Sequence, residues 1–241
     1  MSVTISTALE GALAALDFEQ VNRSYWDQNE FVVIKGFLPR DLMDNVLSAR
    51  AAELKPRLNR NYIPGHKKGG SISYFTLRQY APEYIELYRS HVFLEFMGRL
   101  VKTPLLLCPD RDPHACALYY YTEPGDHIGF HYDTSYYKGA RYTVLLGLVN
   151  RARQCRLVCQ LYRDDPARET RELNLATEPG DLVIFNGDKL YHAVTPLAEG
   201  EERVMLTMEY LTTTEMGRLH RFYSDLKDAF AYFGIRTVFG K

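Results

Sequence analysis

Two histidines and an aspartate stand at spacings that could bind a metal ion. His131 and Asp133 are two residues apart in the segment GFHYDTSYYKG, and His192 follows 59 residues after Asp133. Residues two apart on a β-strand point to the same face, so the first two side chains can bind one ion together. A histidine from another strand would complete a 2-His-1-carboxylate set, which favours Fe(II) and leaves three coordination positions open. Structural zinc would need four protein ligands, usually including cysteine, and the sequence does not supply that pattern.

The spacing of the whole group is more informative than any one of its members. Arg203 follows His192 by eleven residues, and the dipeptide Pro179-Gly180 opens the intervening strand. Taken singly, His131 could be a core histidine, Asp133 a turn cap, and Arg203 a surface arginine. The complete constellation favours a metal site over these alternatives.

The elements that must position these residues are predicted to be short strands. Turn signals such as Pro124-Gly125 and Glu199-Gly200 separate them, and such spacing is typical of a sandwich or a jelly roll. The strand candidates are 115–122, 128–133, 141–149, 155–162, 181–185 and 202–211.

The rest of the chain is predicted to flank this β core within a single domain, 1–241. Residues 1–114 should be mostly helical with one early strand in EFVVIKGFLPRD, and 115–212 should form the core. Residues 213–241 should form a C-terminal helix with an aromatic and aliphatic stripe. The glycine- and lysine-rich segment 60–73 predicts a flexible loop that could serve as a lid. The stripe on the predicted C-terminal helix consists of Phe222, Leu226, Phe230 and Phe233.

Composition narrows the class of protein. The chain has 241 residues, 46% of them hydrophobic, and a formal net charge of −1, which argues against a general affinity for nucleic acid or acidic membranes. We see neither a secretory signal nor a membrane span, and the four cysteines show no zinc-like or disulfide-like pattern. We therefore expect a soluble cytoplasmic domain with reduced thiols. The segment 151–171 is rich in arginine, but interspersed acidic residues favour a solvated hairpin over a nucleic-acid surface.

On these motifs, the chain resembles the Fe(II)- and 2-oxoglutarate-dependent oxygenases. The resemblance covers roughly residues 115–212 and, more loosely, the EFVVIKGFLPRDL start. It implies a mainly β fold with flanking helices, the double-stranded β-helix (a cupin-like jelly roll). It also implies that His131, Asp133 and His192 bind Fe(II), and that Arg203 holds the distal carboxylate of 2-oxoglutarate. O2 would be the third reactant.

Within that superfamily, GFHYDTSYYKGARYTVLLGL and GDKLYHAVTPL look most like the small enzymes that act on free amino acids. That group includes lysine hydroxylases and related radical halogenases. In the halogenases a glycine replaces the carboxylate ligand, so Asp133 implies hydroxylation of a small substrate such as lysine. Desaturation or cyclisation of an amino-acid-derived metabolite remains an alternative. So do a nucleic-acid or protein demethylase and a non-catalytic barrel binding protein. Oligomeric state is left open.

Further site residues follow from strand alternation and from the resemblance. If Arg203 faces the interior, then Thr207 and Glu209 face it too, and a carboxylate enclosed there needs a cationic partner. Glu209 could pair with a substrate ammonium, or it could lie at the wet end of the strand or pair with a lysine of the chain. By resemblance, Arg78 could meet the substrate carboxylate. We also expect Tyr119 and Thr143 to assist 2-oxoglutarate binding.

Overall fold

The computed structural model describes residues 4–133 and 137–216, which form one antiparallel sheet with helices on one side. The described strands are β1 Phe31–Ile34, β2 Asn59–Ile63, β3 Lys67–Ile72, β4 Leu106–Leu107, β5 Cys116–Tyr121, β6 His127–His131, β7 Arg141–Asn150, β8 Leu157–Leu161, β9 Arg171–Leu175, β10 Leu182–Asn186, β11 Tyr191–Val194 and β12 Arg203–Leu211.

The helices precede the main run of strands. They begin at residues that cap a helix well: Thr4, Asp17, Ser73 and Ser90 each accept a hydrogen bond from a backbone N–H of the first turn. The helices are α1 Ile5–Ala15, α2 Phe18–Asp27, α3 Arg40–Leu42, a π-helical turn Met43–Leu47, α4 Ser48–Leu54, a 3-10 turn Lys55–Arg57, α5 Tyr74–Tyr80, α6 Pro82–Tyr88 and α7 His91–Val101.

The sheet folds over on itself. Its strand order is β1-β10-β7-β12-β5-β3-β6-β11-β8-β9, with β2 on β3 and β4 on β12. Phe31 of β1 and Val183 of β10 share one buried cluster with Leu157 and Cys159 of β8, at the other end of that order. Such contacts require the two halves to face each other, which confirms the double-stranded β-helix.

The strand β12 separates the interior of this barrel from the helical layer. Val204, Leu206 and Met208 lie in the core that the helices share. The alternate residues face the interior, because side chains on a strand point to opposite faces in turn. Arg203 and Glu209 are among them, and both are buried.

The segment 60–73 was predicted to be a flexible loop, and that prediction is wrong. It contains β2 and β3, and β3 pairs with both β5 and β6 inside the sheet, so it is no lid. Its glycines serve packing, since a Cβ on Gly70 would lie 3.0 Å from the Leu58 side chain and 3.3 Å from the Cβ of Tyr120. A glycine-rich composition is therefore compatible with a strand that is closely covered by its neighbours.

Other predictions had mixed outcomes. The six predicted strands are present with end shifts of up to two residues, and β8 with β9 forms the hairpin expected in 151–171. The part before residue 115 holds four described strands, not one. Most of the predicted C-terminal helix, with its stripe, lies outside the described residues, and 213–216 are not helical. No described helix has the length and apolar character needed to cross a membrane.

Candidate metal and cosubstrate site

The pairing of β6 with β11 brings the three predicted metal ligands together. His192 lies opposite His131 in the antiparallel register, and Asp133 follows two residues after β6 ends. The Nε2 atom of His131 is 3.3 Å from Oδ1 of Asp133, and Nε2 of His192 is 3.8 Å from Oδ2. One ligand atom from each residue can be chosen so that all lie within 4.8 Å of one another. This spacing suits three ligands of one ion.

Both imidazoles are fixed in the tautomer that a metal ligand needs. Nδ1 of His131 is 2.8 Å from the carbonyl oxygen of Gly129, and Nδ1 of His192 is 3.1 Å from that of Leu190. A carbonyl only accepts, so each Nδ1 carries the hydrogen and donates it. Each Nε2 is therefore the nitrogen left to bind a metal ion, an arrangement typical of histidine ligands.

The Asp133 carboxylate is positioned by a hydroxyl and by a glycine. Thr143 Oγ1, on β7, is 2.9 Å from Asp133 Oδ2. Gly187 packs against Asp133. A Cβ at Gly187 would lie 2.8 Å from the backbone oxygen of Asp133 and 2.9 Å from its Cβ. Only glycine leaves room for the aspartate at this distance.

Two of the three ligands, Asp133 and His192, are deprotonated at neutral pH. Burial alone would raise the pKa of Asp133, but the neighbouring His192 and His131, together with Arg141, hold it far below its usual range. Burial lowers the pKa of His192 to about 4. The Asp133 carboxylate and the neutral His192 imidazole can therefore bind a cation at neutral pH without first losing a proton.

Arg203 provides an enclosed positive charge at the other end of the interior. It is 1% exposed, its Nη2 donates to Thr177 Oγ1 at 3.1 Å, and its guanidinium carbon is 5.3 Å from the Tyr121 ring centroid. Within the described residues, Nε has no hydrogen-bond partner and no carboxylate forms an ion pair with the side chain. A buried guanidinium with donors to spare is suited to a carboxylate ligand.

A lysine that the sequence analysis missed lies in the same interior. Lys67 of β3 is 1% exposed, and its ammonium is 4.8 Å from the ring centroid of Tyr119. The Tyr119 hydroxyl lies 3.1 Å from Nδ1 of His114. The period-2 pattern of β3 was the available signal for Lys67, but it was obscured by the loop-like composition of 60–73.

Glu209 and Thr143 belong to one charged network beside Asp133. Arg141 Nε donates to Glu209 Oε2 at 2.8 Å, and Thr143 Oγ1 lies 2.9 Å from the same oxygen. Burial raises the pKa of Glu209 to about 7; Arg141 opposes that rise, and Asp133 adds to it. The cationic partner of Glu209 within the chain is thus an arginine, which the sequence analysis did not single out.

The remaining predicted residues differ in their relation to the triad. Thr207 is 8% exposed and lies between Arg203 and Glu209 on the interior face of β12. Arg78 lies on the exposed side of α5, 3.4 Å from Asp110 in an ion pair, and its contacts in the described part of the chain include no triad residue.

Comparisons with known proteins agree on the fold. No protein-family model and no curated protein sequence matches this chain. Among solved structures, the nonheme α-ketoglutarate-dependent epimerase SnoN of nogalamycin biosynthesis has a TM-score of 0.66 at 14% identity, over 80% of each chain. A prolyl hydroxylase from Trichoplax adhaerens has a TM-score of 0.62 at 17% identity, over 90% of this chain and 95% of that chain. HygX from Streptomyces hygroscopicus, solved with nickel and 2-oxoglutarate, has a TM-score of 0.58 at 17% identity, over 84% and 89%. At these identities the likeness shows a shared fold.

Proposed function

We propose that this protein is an Fe(II)- and 2-oxoglutarate-dependent dioxygenase that hydroxylates an unactivated C–H bond of a small molecule. The observation that carries the proposal is the joint presence of the His131–Asp133–His192 cluster and the enclosed, underused guanidinium of Arg203. Three structural neighbours on this fold are an α-ketoglutarate-dependent epimerase, a prolyl hydroxylase and a protein solved with 2-oxoglutarate bound. We infer that the substrate is a free amino acid such as lysine and that the reaction takes place in the cytoplasm.

The donor set fits the proposed metal. Two imidazoles and one carboxylate, with no fourth protein ligand in the described cluster, suit Fe(II) and leave positions for other ligands. When bound, Fe(II) and 2-oxoglutarate activate O2 for C–H oxidation and yield succinate and CO2. The protein supplies binding, orientation and the exclusion of water.

The chain's own residues would then have distinct tasks. Arg203 holds the distal carboxylate of 2-oxoglutarate at the enclosed end, and the Tyr119 ring and the Lys67 ammonium border the same interior. Thr143 keeps Asp133 in its ligand orientation, a contact that favours a positioning role for this hydroxyl over direct cosubstrate binding. The carboxylate of Asp133 occupies the ligand position, which supports hydroxylation over halogen transfer.

Metal and cosubstrate binding provide the first test. Calorimetry under anaerobic conditions should show one Fe(II) per chain, and 2-oxoglutarate binding that depends on the metal. His131→Ala and His192→Ala should each abolish both, whereas His91→Ala, at an exposed histidine that starts α7, should abolish neither.

Turnover provides the second test. The iron-loaded protein, given 2-oxoglutarate, O2 and each free amino acid in turn, should form succinate and a product heavier by one oxygen atom. Near-normal turnover in either ligand variant would exclude the triad. Tight 2-oxoglutarate binding without any turnover across metabolite and peptide panels would favour a binding protein instead.

A further inference from the structure

An arginine and a glutamate form an ion pair beside the metal ligands without using all of their hydrogen-bonding atoms. Arg141 Nε donates to Glu209 Oε2 at 2.8 Å, and the side chains are 12% and 4% exposed. Among the described residues, nothing accepts a hydrogen bond from Nη1 or Nη2 of Arg141, and nothing donates to Oε1 of Glu209. Within the described part of the chain, the pair thus retains one free guanidinium edge and one free carboxylate oxygen.

No other acid in residues 4–133 and 137–216 forms an ion pair with that guanidinium edge. Asp112 is near enough to help raise the pKa of Arg141, but it forms no ion pair with it, and its Oδ2 accepts from the Tyr137 hydroxyl at 3.0 Å. A guanidinium whose Nε is occupied still presents Nη1 and Nη2 as a planar fork, which matches a carboxylate in a bidentate pair.

The pair lies one hydroxyl away from a metal ligand. Thr143 Oγ1 is 2.9 Å from Glu209 Oε2 and 2.9 Å from Asp133 Oδ2. Whatever binds to Arg141 and Glu209 is therefore held next to the ion that the triad would bind.

We propose that Arg141 and Glu209 together bind the α-carboxylate and the α-ammonium of an amino-acid substrate. The carboxylate occupies the Nη1/Nη2 edge of Arg141, and the ammonium donates to Oε1 of Glu209. Both charges of a zwitterion are then matched, and the side chain of the substrate extends past Asp133 toward the metal. This inference rests on the proposed function and assigns the substrate carboxylate to Arg141 in place of Arg78.

The experiment measures binding without catalysis. Protein loaded with Ni(II) and 2-oxoglutarate is titrated by calorimetry with the standard L-amino acids. Each amino acid that binds is compared with its primary amide, which lacks the carboxylate, and with its desamino acid, which lacks the ammonium. We expect at least one amino acid to bind, and both analogues to bind at least tenfold more weakly.

Variants assign the two charges. Arg141→Gln should weaken binding of the amino acid about 100-fold and remove the preference over the amide, while Glu209→Gln should remove the preference over the desamino acid. Arg141→Lys should recover part of the affinity. Arg168→Gln, which removes an exposed arginine from the β8–β9 turn, should match the parent, and melting curves should show every variant folded.

The outcomes separate this inference from the proposed function. If Ni(II) or 2-oxoglutarate fails to bind the parent, the proposed function falls. If both bind but no amino acid does, or if Arg141→Gln keeps the parent's preferences, the zwitterion site is excluded while the proposed function stands. Loss of amino-acid binding in Arg78→Gln, with Arg141→Gln unaffected, would return the carboxylate to Arg78.

Discussion

Thr143 has one hydroxyl hydrogen and two carboxylate neighbours, Asp133 and Glu209, each 2.9 Å from its oxygen. A hydroxyl donates to one acceptor at a time, so both short contacts are satisfied together when one carboxyl group is protonated. The pKa of Asp133 is held far below its usual range, whereas burial raises that of Glu209 to about 7. In the metal-free protein below about pH 7, Glu209 is therefore the group that carries the proton, and Thr143 donates to Asp133. Above that pH Glu209 is the carboxylate that pairs with Arg141.

The free energy of unfolding of the metal-free protein should depend on pH because of this proton on Glu209. The pKa of Glu209 in the folded state lies above its ordinary value of 4.5. The stabilisation that protonated Glu209 gives the folded state is therefore complete below pH 4.5 and is lost as the pH rises toward about 7. Relative to Glu209→Gln, the parent's free energy of unfolding should fall on the order of 3 kcal/mol between about pH 5 and pH 8. Urea unfolding at each pH measures this, and parallel curves for parent and variant would contradict the raised pKa.

Gly187 should be indispensable to the metal site although it binds nothing. Gly187→Ala would place a Cβ 2.8 Å from the backbone oxygen of Asp133, which must move. We expect metal affinity to fall on the order of 10–100-fold, since a displaced ligand is no longer oriented. The control is Gly11→Ala in α1, where a Cβ meets nothing within 4 Å. Equal metal affinities in the two variants, measured by calorimetry, would show that Asp133 adapts.

Arg203 should govern cosubstrate affinity more than metal affinity. Arg203→Ala removes the enclosed guanidinium, and losing one partner of a buried charge pair costs roughly 3–5 kcal/mol. Arg203→Lys should recover only part, because an ammonium lacks the planar fork. Titration of the metal-loaded variants with 2-oxoglutarate checks this. If the alanine variant saturates as the parent does, another cation, Lys67 for instance, holds that carboxylate.

Among the elements, the turn between β9 and β10 depends on one carboxylate. Asp181 accepts hydrogen bonds from the backbone N–H of Gly36 and of Glu178, each at 2.9 Å, and pairs with Lys35 at 2.7 Å. It thus ties the end of β1 to the start of β10, the strand whose continuation carries Gly187 to Asp133.

Asp181→Ala should therefore destabilise the fold without removing the site. Removing the carboxylate leaves the backbone N–H groups of Gly36 and Glu178 without their acceptor, which should lower the free energy of unfolding by about 3 kcal/mol. Asp181→Asn keeps one acceptor oxygen and should lose less. Denaturant unfolding measures the loss. Metal binding by the folded fraction should stay intact, and a loss of metal binding at parental stability would show that the turn controls the triad directly.

Sequence patterns predicted some elements better than others, for physical reasons. Strands β5, β7, β10 and β12 have apolar runs bounded by turn residues, and these patterns are enough to predict each of them as a strand. β3 has its glycines because it is covered by Leu58 and Tyr120, and it carries Lys67 inside. Its loop-like composition hides the strand pattern that would have indicated both. The triad was predictable from spacing, but the Arg141–Glu209 pair was not, since it joins strands β7 and β12 across the sheet.

At the scale of the whole molecule, the site exists only when the sheet is closed. His131 and His192 come from the half formed by β6, β11, β8 and β9, whereas Thr143, Arg203 and Glu209 come from β7 and β12 in the other half. The hydrogen bond from Thr143 to Asp133 joins the two halves at the metal site. Local folding of either half cannot produce the site.

Arg203 is more deeply buried than the metal ligands, and this difference bears on the order in which cosubstrate and substrate bind. Arg203 is 1% exposed, while the side chains of His131 and Asp133 are 21% and 19% exposed. Under the proposed function, we infer that 2-oxoglutarate reaches the buried Arg203 from the side of the more exposed triad, so that a substrate already bound at Arg141 and Glu209 would obstruct its entry. We therefore expect compulsory-order kinetics in which the cosubstrate enters first and succinate leaves last. Initial rates at varied concentrations should show the amino acid at high concentration slowing the turnover by trapping the chain before 2-oxoglutarate has entered.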